Sequence, residues 1–354
     1  MAETVFKNCV LDGEITDITV KDGVIAAVGK SEAEGIDVGG LDVYPGLVDI
    51  HCHGVIGFDT MDGDKLEEMS EFLLGCGTTS WLPTTMSMDF DSIKKATDSK
   101  EIKKGANVLG FHMEGPYISK KYKGAMNEEY IKNPDMDEFK KFNNMAMVTI
   151  APELPGSMEF IKNCDAVVTL GHTDCSYHEA IEAIENGARC LTHTFNAMPP
   201  LHHREPGLIG AAIDKNIYVQ VISDGIHLHP AVVRMLYKLF GKERMILISD
   251  AMMATGLEDG EYEFGGQITI VKDKIARTQT GALAGSTVTL MACVKRAIEF
   301  GIPKEDAIYM ATSTPSNLMK VKKGHIKPGY DADFIVLDKD MEIRMTVLKG
   351  EVIK

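Results

Sequence analysis

Residues 47–53 read Leu47-Val48-Asp49-Ile50-His51-Cys52-His53, a short apolar run that ends in two histidines one residue apart. In an extended strand successive side chains alternate sides, so His51 and His53 point the same way while Cys52 faces the opposite side as a small packing residue. The same arrangement recurs along the chain. Glu114 follows the run Val108–Phe111, His172 follows Val167–Leu170, His193 follows Arg189–Thr192, and Asp250 follows Met245–Ser249. Ligands gathered from separate strand ends can leave one coordination position open for water, whereas a structural zinc site closes four ligands over a short loop. The pattern points to an α/β chain closed as a barrel, with a catalytic divalent metal at its mouth and hydrolysis as its chemistry.

Working outward, Thr79–Leu82, Met147–Ala151 and Tyr218–Ile222 complete a set of eight candidate strands, the number a closed (β/α)8 TIM-like barrel needs. Longer helical stretches separate them. The best marked begins at Ser176, which with Glu179 forms a capping box; Tyr177, Ala180, Ile181 and Ile184 make its apolar face and Gly187 suits its C-terminal cap. At both ends of the chain the style changes to short alternating segments broken by Asp12-Gly13, Asp22-Gly23, Pro328-Gly329 and Lys349-Gly350, which read as hairpin turns. The expectation is a small β-sandwich domain from residues 1–44 and 321–354 around a barrel of residues 45–320. Residues 258–280 read as a hairpin inserted in that barrel. A doubly wound α/β sheet shares the alternation, but it would splay apart ligands drawn from the first, third, fifth, sixth and eighth strands.

The chain has 354 residues, 44% of them hydrophobic, and a formal charge of -15. That acidic excess argues against nucleic acid and against an anionic membrane surface as partners, since both require clustered Lys and Arg. No run of 18 apolar residues is present, and the N-terminus lacks the basic and apolar segments of a secretory signal. Seven scattered cysteines without a CxxC pair suit a reducing compartment, so a cytoplasmic location is expected.

Glu114, His172 and His193 make a three-ligand set for zinc or iron, with manganese or cobalt also compatible, and zinc would bring the pKa of a bound water toward about 7. Asp250 is assigned as general base and then acid. His51 and His53 could hold a second metal, bridged by Glu114 because the segment after the fourth strand, IAPELPG, has no lysine. Each residue also has a plainer reading. His51 and His53 could be histidines that happen to line the barrel mouth, Glu114 a salt-bridging acid and Asp250 a helix N-cap. His112 faces the same side as Glu114 but deeper, as a buried supporting histidine. Asn196, Ala197, Arg204 and His227 offer an amide, backbone N–H groups, a guanidinium and an imidazole suited to a phosphate ester. For His202, His203 and His229 a solvated loop is the preferred reading.

The segments PGLVDIHCHG, HMEGPYIS, APE, GHTD, THTFNAM, REPGLIGA, SDGIHLHP, ISDAM, ALAGS and KPGYDADFIVLD, spread over essentially the whole chain, resemble the N-acetylglucosamine-6-phosphate deacetylases of the amidohydrolase superfamily. The resemblance implies deacetylation of a small-molecule amino sugar phosphate, with Glu114, His172 and His193 as principal metal ligands and Asp250 as the acid/base. It also implies Asn196, Ala197, Arg204 and His227 as substrate contacts, and a homodimer in which Arg204 reaches the neighbour's phosphate. Some members lack the first-strand histidines and use one metal, so this chain takes one or two per subunit. Others carry histidine where this chain has Met126. Alternatives are a deacetylase for the galactosamine epimer, a deacylase of N-acyl amino acids, a nucleobase deaminase, and a non-catalytic assembly protein of the same fold. Arg204 and His227 speak against the deacylase and deaminase, and retention of every ligand speaks against the assembly protein.

Overall fold

A computed structural model describes residues 3–99 and 102–353. Eight strands, Leu47–Cys52, Thr78–Thr85, Phe111–Glu114, Met145–Ile150, Val167–Leu170, Cys190–Leu191, Tyr218–Val221 and Met245–Leu247, run parallel, each paired with the next. A parallel bridge between Cys52 and Ala251 joins the eighth strand's exit to the first, closing the barrel. A doubly wound sheet has no such bridge between its outer strands.

Alternation along these short strands sorts side chains into two environments. Leu47, Val148, Ile150, Val168, Leu170, Leu191, Val219, Val221, Met245 and Leu247 face outward and share one buried cluster with helix residues such as Ala180, Ala183, Leu208, Val233 and Leu236. Val48, Ile50, Leu82, Met147, Cys190, Ile222, Ile246 and Ile248 form a second cluster, the apolar floor of the barrel. Above that floor lies a polar layer: His112 Nε2 sits 2.8 Å from Thr149 Oγ1, which is 3.0 Å from Thr192 Oγ1, itself 2.9 Å from Thr169 Oγ1. Mutual hydrogen bonding is what lets these polar groups stay buried.

The connecting helices follow the expected alternation. Helix Tyr177–Asn186 carries the Ser176/Glu179 capping box and ends at Gly187. The third strand departs from expectation. Asn107–Val108 only flanks the second strand, and the third barrel strand proper is Phe111–Glu114. Gly110, at φ 120, lies between them in a conformation that no ladder residue adopts, so the apolar run Val108–Phe111 is broken in its middle. Glu114 is therefore the last residue of the strand rather than part of the following loop.

Strands Glu3–Leu11, Glu14–Lys21, Val24–Val28, Ile36–Asp37, Asp42–Pro45, Phe334–Leu337, Ile343–Leu348 and Glu351–Val352 form one mixed sheet from both ends of the chain. Phe6 stands edge-on to Phe334 at 4.9 Å inside this sheet's own core of Cys9, Ile18, Val20, Ile25, Val43 and Val347. The insertion expected as a hairpin has three antiparallel strands, Gly260–Phe264, Gln267–Lys272 and Ile275–Thr278. It leans over the barrel mouth, where Gln267 Nε2 donates to Ala125 O at 2.7 Å. Among the described residues no helix is long and apolar enough to cross a membrane.

Candidate metal centre

Each strand end delivers its residue to the same point. His172, His193 and Asp250 all stand just past their strands with φ of 47°, 23° and 48°, the left-handed region that non-glycine residues rarely occupy. Such turns cost about 1–3 kcal/mol each and cluster at functional sites. The surrounding backbone holds them: Asp250 N donates to His51 O at 2.9 Å, and Ser286 N donates to Asp250 O at 2.6 Å. After Glu114 the chain turns at Gly115, φ 78, where a Cβ would fall 2.0 Å from Ser87 Oγ. Only glycine fits that turn.

Glu114 is the centre of the arrangement. Its Oε1 lies 3.4 Å from His51 Nε2, 3.2 Å from His172 Nε2 and 3.0 Å from His193 Nε2, and its Oε2 lies 3.2 Å from His53 Nε2. Asp250 Oδ1 is 3.4 Å from His51 Nε2 and 3.3 Å from His53 Nε2. Two metal-competent triads result, His51–His53–Glu114 and Glu114–His172–His193, joined through the one carboxylate. All five side chains are buried.

The outer nitrogens decide what the inner ones carry. His51 Nδ1 is 3.1 Å from Gln220 Oε1, His53 Nδ1 is 3.1 Å from Thr84 O, and His172 Nδ1 is 2.9 Å from Tyr122 O. Those partners are acceptors, so each imidazole donates from Nδ1 and turns a bare Nε2 lone pair inward. The inner atoms then crowd: His51 Nε2 is 3.2 Å from His53 Nε2, and His172 Nε2 is 2.9 Å from His193 Nε2. Facing lone pairs at that distance repel unless a proton or cation lies between them. Among the described residues Glu114 Oε1 has no hydrogen-bond partner of acceptable geometry, and neither has His193 Nδ1. This donor set fits a divalent cation.

Protonation in the cation's absence carries the same message. Burial pulls His53 down, but hydrogen bonds and charge from Asp250 and Glu114 outweigh it and push its pKa up to about 10. Burial would raise Asp250 and Glu114; the facing histidines instead hold Asp250 at about 2 and Glu114 well below the usual carboxylate range. For His112 burial dominates and keeps the ring neutral.

A cavity of about 270 Å³ opens above the triads, lined by His53, Glu114, His172, His193 and Asp250 together with Asn196, Ala197 and His227. His227 donates from Nδ1 to Asp224 Oδ2 at 2.7 Å. Burial lowers its pKa, yet the Asp224 hydrogen bond and charge prevail and raise it. Arg204 is not brought to the cavity of its own chain. It is exposed, with Nη1 2.6 Å from His203 Nε2, and His202, His203 and His229 are exposed as well. Cys52 points away from the site into the cluster of Leu66, Met69, Leu73 and Trp81.

Several lining residues were not singled out from the sequence. Phe264, from the inserted sheet, stands edge-on to His53 at 5.2 Å, and Gly124, Ala125, Ala282, Leu283 and Gly285 complete the wall. Met126, where relatives were expected to differ, lines the cavity too and is buried. Glu153 of the APE segment accepts from Asp174 N at 2.7 Å, steadying the loop after His172. Gln220 had a detectable signal, a lone polar residue inside the otherwise apolar run Tyr218–Val221.

Comparison with known proteins gives a consistent picture. The Amidohydrolase family matches residues 43–353. An N-acetylglucosamine-6-phosphate deacetylase of Lysinibacillus sphaericus is 34% identical over 96% of this chain and 93% of its own length. An N-acetylgalactosamine-6-phosphate deacetylase of Escherichia coli O157:H7 is 33% identical over 94% and 93%. Among solved structures, N-acetylglucosamine-6-phosphate deacetylase from Thermotoga maritima superposes with a TM-score of 0.89 at 32% identity, covering 99% of both chains. A mutant of the Mycobacterium smegmatis enzyme in complex with N-acetyl-D-glucosamine-6-phosphate superposes with a TM-score of 0.91 at 28% identity, again over 99% of both chains. With the barrel, the shared carboxylate and these full-length matches together, the chain belongs to the amidohydrolase family, in the group that contains the N-acetylglucosamine-6-phosphate deacetylases.

Proposed function

We propose that the protein hydrolyses the acetamide of N-acetyl-D-glucosamine 6-phosphate to D-glucosamine 6-phosphate and acetate. The observation that carries this reading is buried Glu114 facing four histidine Nε2 atoms, with Asp250 beside them at the base of a cavity. Glu114, His172 and His193 would hold a divalent cation, and His51 and His53 with Glu114 a second; when bound, the metal would supply Lewis acidity and lower the pKa of water toward neutrality. Zinc or iron suits these ligands best, and manganese or cobalt also fits.

Asp250 lines the cavity beside His51 and His53, where its carboxylate accepts a proton from the attacking water as the C–O bond forms and returns it to the nitrogen as the C–N bond breaks. Asn196, the turn at Ala197 and His227 line the same cavity and would orient the sugar phosphate. Arg204, exposed beside Leu201, suits a homodimer in which a second copy supplies the guanidinium to the phosphate. A monomer by sedimentation at assay concentration would end that part of the reading. Free thiols at Cys9, Cys52, Cys164, Cys175, Cys190 and Cys293 suit the reducing cytoplasm. We read residues 1–44 with 321–354 as the supporting β domain and 45–320 as the catalytic one.

Metal-replete protein is expected to release acetate and free amine in equal amounts from N-acetylglucosamine 6-phosphate, and no acetate release would remove the reading. The relative from Escherichia coli O157:H7 makes the galactosamine epimer the second reading. The ratio of kcat/KM on the two epimers decides between them.

His227 provides a test by pH. Because its pKa is raised, the imidazolium is fully present below the ordinary histidine value and is lost as pH rises through the raised one. Affinity for the anionic substrate should fall over that window. Asp224→Asn removes the partner, so the fall should begin at lower pH, with kcat/KM at neutral pH reduced about 10–100-fold, the worth of one charge-assisted hydrogen bond. An unchanged pH–KM profile would take His227 out of substrate binding.

A further inference from the structure

Of the three histidines whose outer nitrogens have partners, two are held by backbone carbonyls, which no substitution deletes. His51 is different, because its Nδ1 faces the side-chain oxygen of Gln220, 3.1 Å away. Gln220 is fully buried on the seventh strand, in the polar layer beneath the site.

The amide of Gln220 has its orientation fixed from two sides. The same Oε1 lies 3.4 Å from the backbone N of His193, a group that can only donate, while Nε2 lies 3.6 Å from Met147 Sδ, an acceptor. With the oxygen committed in this way, His51 must donate from Nδ1, and its Nε2 is left bare toward His53, Glu114 and Asp250. Were the amide reversed, two N–H groups would face His51 and His193 N, and the ring would be driven to the other tautomer, with a proton where a ligand lone pair is needed. The neighbouring side of His51 offers no substitute acceptor: His112 stacks edge-on at 4.6 Å, and its own nitrogens are engaged by Thr84 and Thr149.

We propose that Gln220 is a positioning residue that sets the His51 tautomer and thereby makes the first triad able to hold a metal. It touches neither substrate nor reacting atoms. It acts through His51, and the 3.4 Å contact from His193 N serves to fix the orientation of its amide. The proposal rests on the metal-centre reading above but not on the identity of the substrate.

The test uses the full-length protein stripped of metal and titrated with zinc alone, with zinc per subunit and both dissociation constants measured against a chelator of known affinity. Wild type is expected to take two zinc ions. Gln220→Met keeps the length of the side chain and removes the acceptor. It should weaken one step about 10–100-fold, the usual consequence of losing an outer-shell partner of a metal histidine, and leave the other step nearly unchanged. Gln220→Glu restores an acceptor to Nδ1 and should restore the weakened step, which a merely space-filling role would not do.

Should Gln220→Met fail to fold, the tautomer can be read in wild type by imidazole nitrogen NMR on the zinc-loaded protein, where His51 should show a protonated Nδ1 and a zinc-bound Nε2. Equal zinc affinities in wild type and Gln220→Met, loss of both steps together, no rescue by Gln220→Glu, or zinc bound through His51 Nδ1 would each overturn the proposal. If the wild type takes two zinc ions and the variant only one, yet neither releases acetate from N-acetylglucosamine 6-phosphate, the substrate reading fails and the role of Gln220 stands.

Discussion

Asp250→Asn should lower kcat on N-acetylglucosamine 6-phosphate by about 10²–10⁴-fold, the contribution of a positioned general acid–base group, while zinc per subunit stays at the wild-type value. The asymmetry follows from the geometry. Asp250 Oδ1 lies near His51 and His53 but belongs to neither metal-competent triad, and its backbone is clamped on both sides by His51 O and Ser286 N. Replacing the carboxylate by an amide of the same shape therefore leaves the ligands in place. It removes only the group that can take a proton from water and pass it to the leaving nitrogen. Single-turnover measurements should place the loss in the chemical step, with KM little changed. Residual activity within tenfold of wild type, or loss of the metal along with the activity, would take Asp250 out of this role.

Glu114→Ala should have the broader effect, because both triads depend on that one side chain. Its carboxylate is the only anionic member of either set, and three imidazole Nε2 atoms lie within 3.4 Å of a single one of its oxygens. Without it, four inward-facing imidazoles remain, and the one carboxylate left nearby, Asp250, lies against His51 and His53 and belongs to neither triad. Metal analysis should find zinc reduced at both positions, and kcat/KM should fall by about 10³-fold or more, since a metal Lewis acid contributes several kcal/mol and each ~1.4 kcal/mol is tenfold in rate. Adding excess zinc should not restore the wild-type rate. Full zinc occupancy in Glu114→Ala would mean that the histidines suffice and that Glu114 is a second carboxylate near the site rather than its centre.

The parts of this site legible in the sequence were those that local rules control. His51, His53, His172, His193 and Asp250 each follow an apolar run, and the alternation of a strand is enough to orient the first pair. The helix at Tyr177–Asn186 could be read because its cap, apolar face and terminal glycine are all local. What escaped was set by closure of the chain. Thr84 and Tyr122 serve the histidines through backbone oxygens, which carry no residue signature, and Phe264 reaches His53 from an insertion more than 200 positions away. The third strand lies a few residues later than its apolar run suggests because Val108–Phe111 hides a backbone break at Gly110. Arg204 carried the chemistry expected of a phosphate ligand, but its place on an exposed loop depends on what lies against that loop.

The central claim, that the acetamide is cleaved where two histidine pairs meet Glu114, is tested most directly by anomalous scattering at the metal edge. Crystals of Asp250→Asn soaked with N-acetylglucosamine 6-phosphate should show metal peaks at the His51–His53–Glu114 and Glu114–His172–His193 sets, with the acetyl carbonyl beside them. A metal peak elsewhere in the chain, or substrate bound with its acetamide turned away from Glu114, would contradict it.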